Sequence, residues 1–196
     1  IRDDNFDEYL KALKTGEESK FNKEYGVYYT PREIVHFMCQ QTLIEYLETE
    51  LSVLFPNEQD LRQNIEDFVT NAEALQEWER TSVKKLQAIE NGLQRETKYE
   101  PQIPEFVRQN ADTIDKTLAN VKICDPAVGS GAFPIGMMHE IVKLRTLLSI
   151  YISNNITQYD LKRHTIENSL YGVDIDAGAV EVCKLRFWLS LIVDED

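Results

Sequence analysis

Asp125-Pro126-Ala127-Val128-Gly129-Ser130-Gly131-Ala132-Phe133 is the stretch whose reading decides the fold. Val121-Lys122-Ile123-Cys124 before it is a short apolar strand candidate, ending in Asp125-Pro126. Gly129-Ser130-Gly131 predicts a tight loop, and the apolar run from Ala132 to about Ile152 predicts a helix. Leu170-Tyr171-Gly172-Val173-Asp174 reads as a second strand, followed by a helix from about Ala177 to Ile192. Strand, glycine loop, helix, strand, helix is how a parallel, doubly wound α/β sheet begins. Two strands are fewer than such a sheet needs, so the expected fold class is α/β, a truncated Rossmann-like sheet behind a mainly helical N-terminal region.

The chemistry follows from that placement. Open α/β sheets bind ligands at the carboxyl ends of their strands. Glycine lets backbone approach a ligand or take positive φ. A helix start carries unpaired N–H groups suited to a carboxylate. Asp125, acceptor-only when ionised, could pair with a ligand ammonium. The spacing does not fit GxGxxG, and no Gly-Lys-Thr or Gly-Lys-Ser follows, so phosphate ligands are disfavoured. An ordinary strand-to-helix turn would also use two glycines, and alone they would decide nothing. Asp174 ends the second strand within Gly172-Val173-Asp174-Ile175-Asp176, where an acid accepts hydrogen bonds from ribose hydroxyls. Asp176 fits the helix-cap role better, leaving Asp174 as the ligand contact.

Working outward, residues 1–25 are polar, with a short amphipathic piece at Phe6, Tyr9, Leu10 and Leu13. Gly26-Val27-Tyr28-Tyr29-Thr30-Pro31 leads into a helix, and Thr30-Pro31-Arg32-Glu33 fits a capping box with proline at the first helical position. Ile34, Phe37, Ile44, Leu47, Leu51 and Leu54 are its expected apolar face, and Pro56 closes it. Residues 57–120 are charged and poor in glycine, and read as two or three amphipathic helices serving as a spacer. Breaks are expected near Thr81-Ser82 and across Pro101–Pro104. The predicted regions are therefore 1–56, 57–120 and 121–196.

Composition sets limits. An apolar fraction of 42 % over 196 residues supports a buried core. The formal charge of −13 argues against a large phosphate-binding surface within these residues, because DNA affinity rests on Lys and Arg. Cys39, Cys124 and Cys183 are dispersed without a CxxC pair, and read as buried reduced thiols. His36, His139 and His164 are scattered, which favours structural or surface roles. No apolar run approaches the ~18 residues of a membrane span. Leu185, Trp188, Leu189 and Ile192 read as a core stripe beside Arg186. The chain begins at Ile1 and ends on Val193-Asp194-Glu195-Asp196 directly after an apolar helix, so a segment of a longer polypeptide is expected.

Together these strings resemble the gamma-class adenine-N6 DNA methyltransferases, especially the fused restriction–modification enzymes called type IIG. The stretch from Asp125 to Phe133 looks like that family's first cofactor motif, Gly172–Asp176 like its second, and Gly26–Pro31 like its permuted upstream motif. The resemblance implies S-adenosyl-L-methionine as cofactor, DNA as substrate and a bacterial cytoplasmic enzyme. It implies that Thr30, with Tyr28 beside it, binds the methionine carboxylate. Asp125 and the stretch Ala127, Gly129, Ser130 and Gly131 would line the methionine end, with Phe133 packing nearby. Asp174 would hold the ribose and Ile175 would contact adenine. The family's catalytic Asn-Pro-Pro-aromatic motif is absent, since no proline follows Pro134. The chain is accordingly expected to be inactive alone, to bind the cofactor weakly or not at all in isolation, and to meet DNA through other parts of the parent. Two alternatives stand beside this one: a methyltransferase of RNA or protein glutamine, which shares the cofactor motif, and a non-catalytic helical interaction module.

Overall fold

The computed structural model describes residues 30–75, 103–152 and 156–193. The backbone contacts divide the chain into two units, Ile1–Pro31 and Arg32–Asp196. Of the first, Thr30 and Pro31 are described, and Thr30 is exposed. Tyr28, the expected piece at Phe6–Leu13 and the expected break at Thr81-Ser82 lie outside the described residues.

The second unit runs α1 (Arg32–Leu54), α2 (Leu61–Thr70), α3 (Glu105–Gln109), α4 (Ala111–Asn120), β1 (Ile123–Asp125), α5 (Ala132–Ser149), α6 (Gln158–Asn168), β2 (Leu170–Gly172) and α7 (Ala177–Ile192). The two strands pair in parallel, Ile123 opposite Leu170 and Asp125 opposite Gly172. Both are shorter than expected, the paired ladder running from Ile123 and Leu170 to Asp125 and Gly172.

α5 is the centre of the unit. It is apolar on two sides, the pattern of a helix packed all round. Met137, Ile141, Leu144 and Leu148 enter the main core, which they share with Leu43, Leu47 and Leu51 of α1, Ile65 and Phe68 of α2, and Ile114 and Leu118 of α4. Met138 and Val142 face the other way and meet Leu161 of α6. The described part of the expected spacer thus belongs to the same core as α1 and α5. Gly136 sets how closely α1 and α5 approach: a Cβ there would lie 2.7 Å from Val35 Cγ1 and 3.1 Å from Cys39 Sγ.

Several buried polar groups are paired within this core, as burial favours. Arg145, nearly fully buried, holds Asp115 through Nε at 2.8 Å and Nη2 at 3.2 Å, joining α5 to α4. Tyr46 donates to the Thr117 carbonyl at 3.2 Å, and Phe55 meets Phe106 edge to face with centroids 5.2 Å apart.

Four expectations are corrected. Of the expected face of α1, Ile44, Leu47 and Leu51 are buried, but Ile34, Phe37 and Leu54 are exposed, and Val35, Cys39 and Leu43 complete the buried side instead. The helix is apolar on two faces, and the rows of core side chains on α2, α4 and α5 select one of them. α6 was not anticipated. Its start carries a capping box, in which Thr157 Oγ1 accepts from the Asp160 N–H and the Asp160 carboxylate accepts from the Thr157 N–H. The supposed core stripe of α7 is exposed, with Leu185 at 52 %, Trp188 at 59 %, Leu189 at 48 % and Ile192 at 41 %. The helix packs instead through Cys183 and, half-buried, Phe187. Finally, Cys124 is exposed while Cys39 and Cys183 are buried, since alternate residues of a strand point to opposite sides.

Candidate functional site

The glycine bend between β1 and α5 is assembled from both strand ends. Val173 N–H donates to the Asp125 carbonyl at 3.0 Å, and Val128 N–H donates to the Val173 carbonyl at 3.0 Å. These bonds extend the parallel ladder into the bend. Val128 then folds over Gly172, where a Cβ would lie 2.7 Å from Val128 Cγ2. Gly129 (φ 50°) and Gly131 (φ 86°) are the described residues with positive φ. Gly131 N–H closes the turn onto the Val128 carbonyl at 2.9 Å, and Gly131 serves as the left-handed N-cap of α5.

Asp125 and Asp174 both face inward to this backbone. Asp125 Oδ1 accepts from the Ala127 N–H at 3.0 Å. Asp174 accepts from Asp176 N–H on Oδ1 at 2.9 Å and from Gly129 N–H on Oδ2 at 2.7 Å. Those amide donors, Asp176 first and Gly129 second, hold the Asp174 carboxyl below its usual pKa, so it stays ionised. A carboxylate has about four acceptor positions. Two are used by these bonds and the Ile175 N–H adds a weaker interaction, which still leaves room for a hydroxyl donor from a ligand. Asp176 caps α7 as expected, accepting from Gly178 N–H at 2.8 Å.

The first turn of α5 supplies the complementary donors. Its first intrahelical bond runs from Ile135 N–H to the Gly131 carbonyl, and no side chain caps it. Pro134 has no N–H, so the open donors of the turn are Ala132 and Phe133. Ala127 and Ser130 are exposed on the outside of the bend, and a Cβ placed on Gly129 would meet nothing within 4 Å. Phe133 packs, half-buried, against the main core rather than standing free. Ile175 is fully exposed at the tip between β2 and α7.

Six of the ten predicted site residues are brought together around the bend: Asp125, Ala127, Gly129, Ser130, Gly131 and Asp174. Phe133 and Ile175 flank it. Thr30 belongs to the other unit, and Tyr28 lies outside the described residues. Sequence reasoning missed two contributors from α7. Arg186 Nη1 donates to the Ser130 carbonyl at 2.8 Å. Cys183 lies under Gly131, where a Cβ would come 2.5 Å from its Sγ. Burial pushes the Cys183 thiol above its usual pKa, so it acts as packing rather than as a nucleophile. Neither residue carries a local signal, because each partner is about fifty residues earlier and one of them is a backbone carbonyl.

A second cluster joins α1 to α5. His36, Glu73 and Glu140 offer ligand atoms within 4.8 Å of one another. Lys143 already neutralises it, with Nζ 2.8 Å from Glu140 Oε2 and 3.5 Å from Glu73 Oε1. Glu140 Oε2 lacks a well-angled hydrogen bond, yet it is ion-paired. With Lys143 already balancing its carboxylates, the cluster reads as a partly buried ion-pair network that ties His36 to Glu140 at 2.9 Å. Burial, and secondarily Glu140, push the neighbouring Cys39 thiol up to about 12.

A glycine bend, two open amide donors and two strand-end carboxylates at the carboxyl edge of a parallel strand pair form the kind of place where α/β proteins take polar small molecules. Over 177 residues, 90 % of its length, the chain is 31 % identical to a protein of Methanocaldococcus jannaschii whose name describes it as a type II restriction enzyme and methyltransferase. The chain spans 13 % of that relative's length. No protein-family profile matches the chain, and no solved structure matches it. Among the described residues no helix is long and apolar enough to cross a membrane.

Proposed function

We propose that the bend is an S-adenosyl-L-methionine site and that the chain is the cofactor-binding part of an adenine-N6 DNA methyltransferase from a restriction–modification system of the type IIG kind. The observation that carries the reading is the bond from Gly129 N–H to Asp174 Oδ2 at 2.7 Å. It joins two motif elements 45 residues apart into one site, as a single ligand spanning both would need. The residues fit the ligand. Ala132 and Phe133 N–H suit its carboxylate, Asp125 suits its ammonium, and the free acceptor positions of Asp174 suit ribose hydroxyls. Ile175, wholly exposed, is available to an adenine face. When bound, the cofactor supplies an electrophilic methyl on sulfonium. This chain's own residues hold and orient it.

In this reading β1 and β2 are two strands of a Rossmann-like sheet. DNA contacts and the catalytic motif come from other parts of the polypeptide, in keeping with the chain's charge of −13. The name of the M. jannaschii relative supports methyl transfer within a restriction–modification system over the RNA and protein-glutamine alternatives.

The test is calorimetry on the chain and on a longer polypeptide of the same gene, titrated with S-adenosylhomocysteine and, as comparator, ATP. In the longer polypeptide saturable binding of S-adenosylhomocysteine and not of ATP is expected, lost in Asp174→Ala, while the chain alone should bind weakly or not at all. A folded longer polypeptide that ignores S-adenosylhomocysteine would sink the reading. Methyl transfer to duplex DNA, followed by detection of N6-methyladenine, checks the substrate.

A further inference from the structure

We infer that Arg186 is a positioning residue for the glycine bend. The inference rests on the reading of the bend as a cofactor site, and it adds a residue from the middle of α7 to that site. The need for it comes from the glycine. Glycine takes positive and negative φ about equally readily. The peptide between Ser130 and Gly131 could therefore rotate with little steric resistance, because Gly131 sits on one side of it. Such a flip would turn the Ser130 carbonyl into the position its present orientation leaves to donors. It would also redirect the chain into the first turn of α5.

The structure holds this peptide at both ends. Gly131 N–H is bound to the Val128 carbonyl at 2.9 Å, and the Ser130 carbonyl is bound to Arg186 Nη1 at 2.8 Å. The neighbouring amides are held from β1 and β2: Ala127 by Asp125, Val128 by Val173, Gly129 by Asp174. Arg186 supplies the one side-chain restraint on Ser130 among the described contacts. One turn earlier on the same helix, Cys183 fills the space beneath Gly131. α7 thus meets the bend twice. Its N-cap is Asp176, whose N–H donates to the Asp174 carboxylate. Asp174, the residue proposed to face a ribose, thus accepts from the N-cap residue of the helix that carries Arg186. Because the guanidinium is a charged donor, its bond to a carbonyl is stronger than a neutral one.

The variants are Arg186→Met, which keeps the aliphatic stem, and Arg186→Lys, which keeps a charged donor. The first measurement needs no ligand. In amide NMR spectra of the full chain, Arg186→Met should shift or broaden Gly129 and Gly131 while α6 amides such as Arg163 stay in place. Lysine should restore part of the original pattern. Unmoved glycine amides would overturn the proposal, as would changes spread evenly through α6 and α5, since those would mark a general structural role. The second measurement is calorimetry with S-adenosylhomocysteine. Arg186→Met should bind about tenfold more weakly, the order expected for one charge-assisted hydrogen bond. Equal affinity of the two proteins would overturn the proposal. If the unsubstituted chain and its longer polypeptide do not bind at all, the cofactor reading falls, and the spectra still decide whether Arg186 holds the bend.

Discussion

Gly131→Ala tests the geometry of the bend most directly, because two costs at that position can be separated. The first is conformational. At φ 86° an L-residue is strained by about 1–2 kcal/mol. The second is steric. The new Cβ would lie 2.5 Å from Cys183 Sγ and 3.3 Å from Cys183 Cβ, an overpacking worth about 1–3 kcal/mol. The expected loss is therefore about 2–5 kcal/mol. Gly129→Ala is the control. It has the same sign of φ, at 50°, and open space within 4 Å of a Cβ, so it should lose only the conformational part. The entropy that alanine removes from the unfolded chain is common to both and cancels in the comparison. Cys183→Ala closes the cycle, since it removes the sulfur that the new methyl would strike. Urea unfolding followed by far-ultraviolet circular dichroism gives the four stabilities, provided the m-values agree. The pair Gly131→Ala and Cys183→Ala should couple favourably by about 1–3 kcal/mol. Coupling within about 0.5 kcal/mol of zero, or equal losses for the two glycine variants, would refute the close approach of α7 to the bend.

Two further outcomes follow from the core. Asp115→Ala leaves the buried Arg145 guanidinium unpaired and should cost about 3–5 kcal/mol in urea unfolding, while Asp115→Ala with Arg145→Met should recover most of it. No recovery would show that the pair does not carry the cost. Burial first, and the Arg145 charge second, hold the His164 imidazole below its usual pKa, so the folded state favours its neutral form. Its contribution is whole above the unfolded value of about 6.5 and falls as pH drops below that toward the folded pKa. His164→Gln should flatten the stability-versus-pH slope in that window, and an unchanged slope would place the titration elsewhere.

How much of this was legible depended on whether the governing contacts were local. The glycine bend could be read from nine consecutive residues because positive φ and a helix start leave a compositional mark. α7 was bounded correctly, at Ala177 and Ile192, by the Asp176 cap and an unbroken apolar run. α6 was missed although Thr157 and Asp160 spell a capping box, because the helix between them and Asn168 is polar and its apolar periodicity is weak. The buried face of α1 was read correctly at Ile44, Leu47 and Leu51 and misjudged in its first turns for the opposite reason. Ile34, Phe37 and Met38 make an apolar row as convincing as Val35, Cys39 and Leu43, and only the partners on α2 and α5 choose between them. The stripe on α7 failed in the same way. Periodicity shows that Leu185, Trp188, Leu189 and Ile192 share a face but not that anything in this chain covers it. Arg186 was invisible because a backbone carbonyl accepts from any donor that reaches it.

The order in which the bend is held bears on how it would bind. Gly129, the residue with most room around it, is fixed by a carboxylate from the other strand rather than by its own neighbours. Asp174 thus has two tasks that do not compete. Its amide bonds hold the bend and keep it ionised, and its remaining acceptor positions are aimed by those same bonds. A hydroxyl-bearing ligand would meet a carboxylate whose rotamer is already chosen, so little side-chain entropy is left to lose on binding. The open amides of Ala132 and Phe133 are fixed in the same sense, by the turn through Gly131 and the first bond of α5. On the proposed reading, the bend would therefore offer a ligand groups that are already oriented. Its affinity would be limited by how many walls surround the ligand rather than by the disorder of the walls it has.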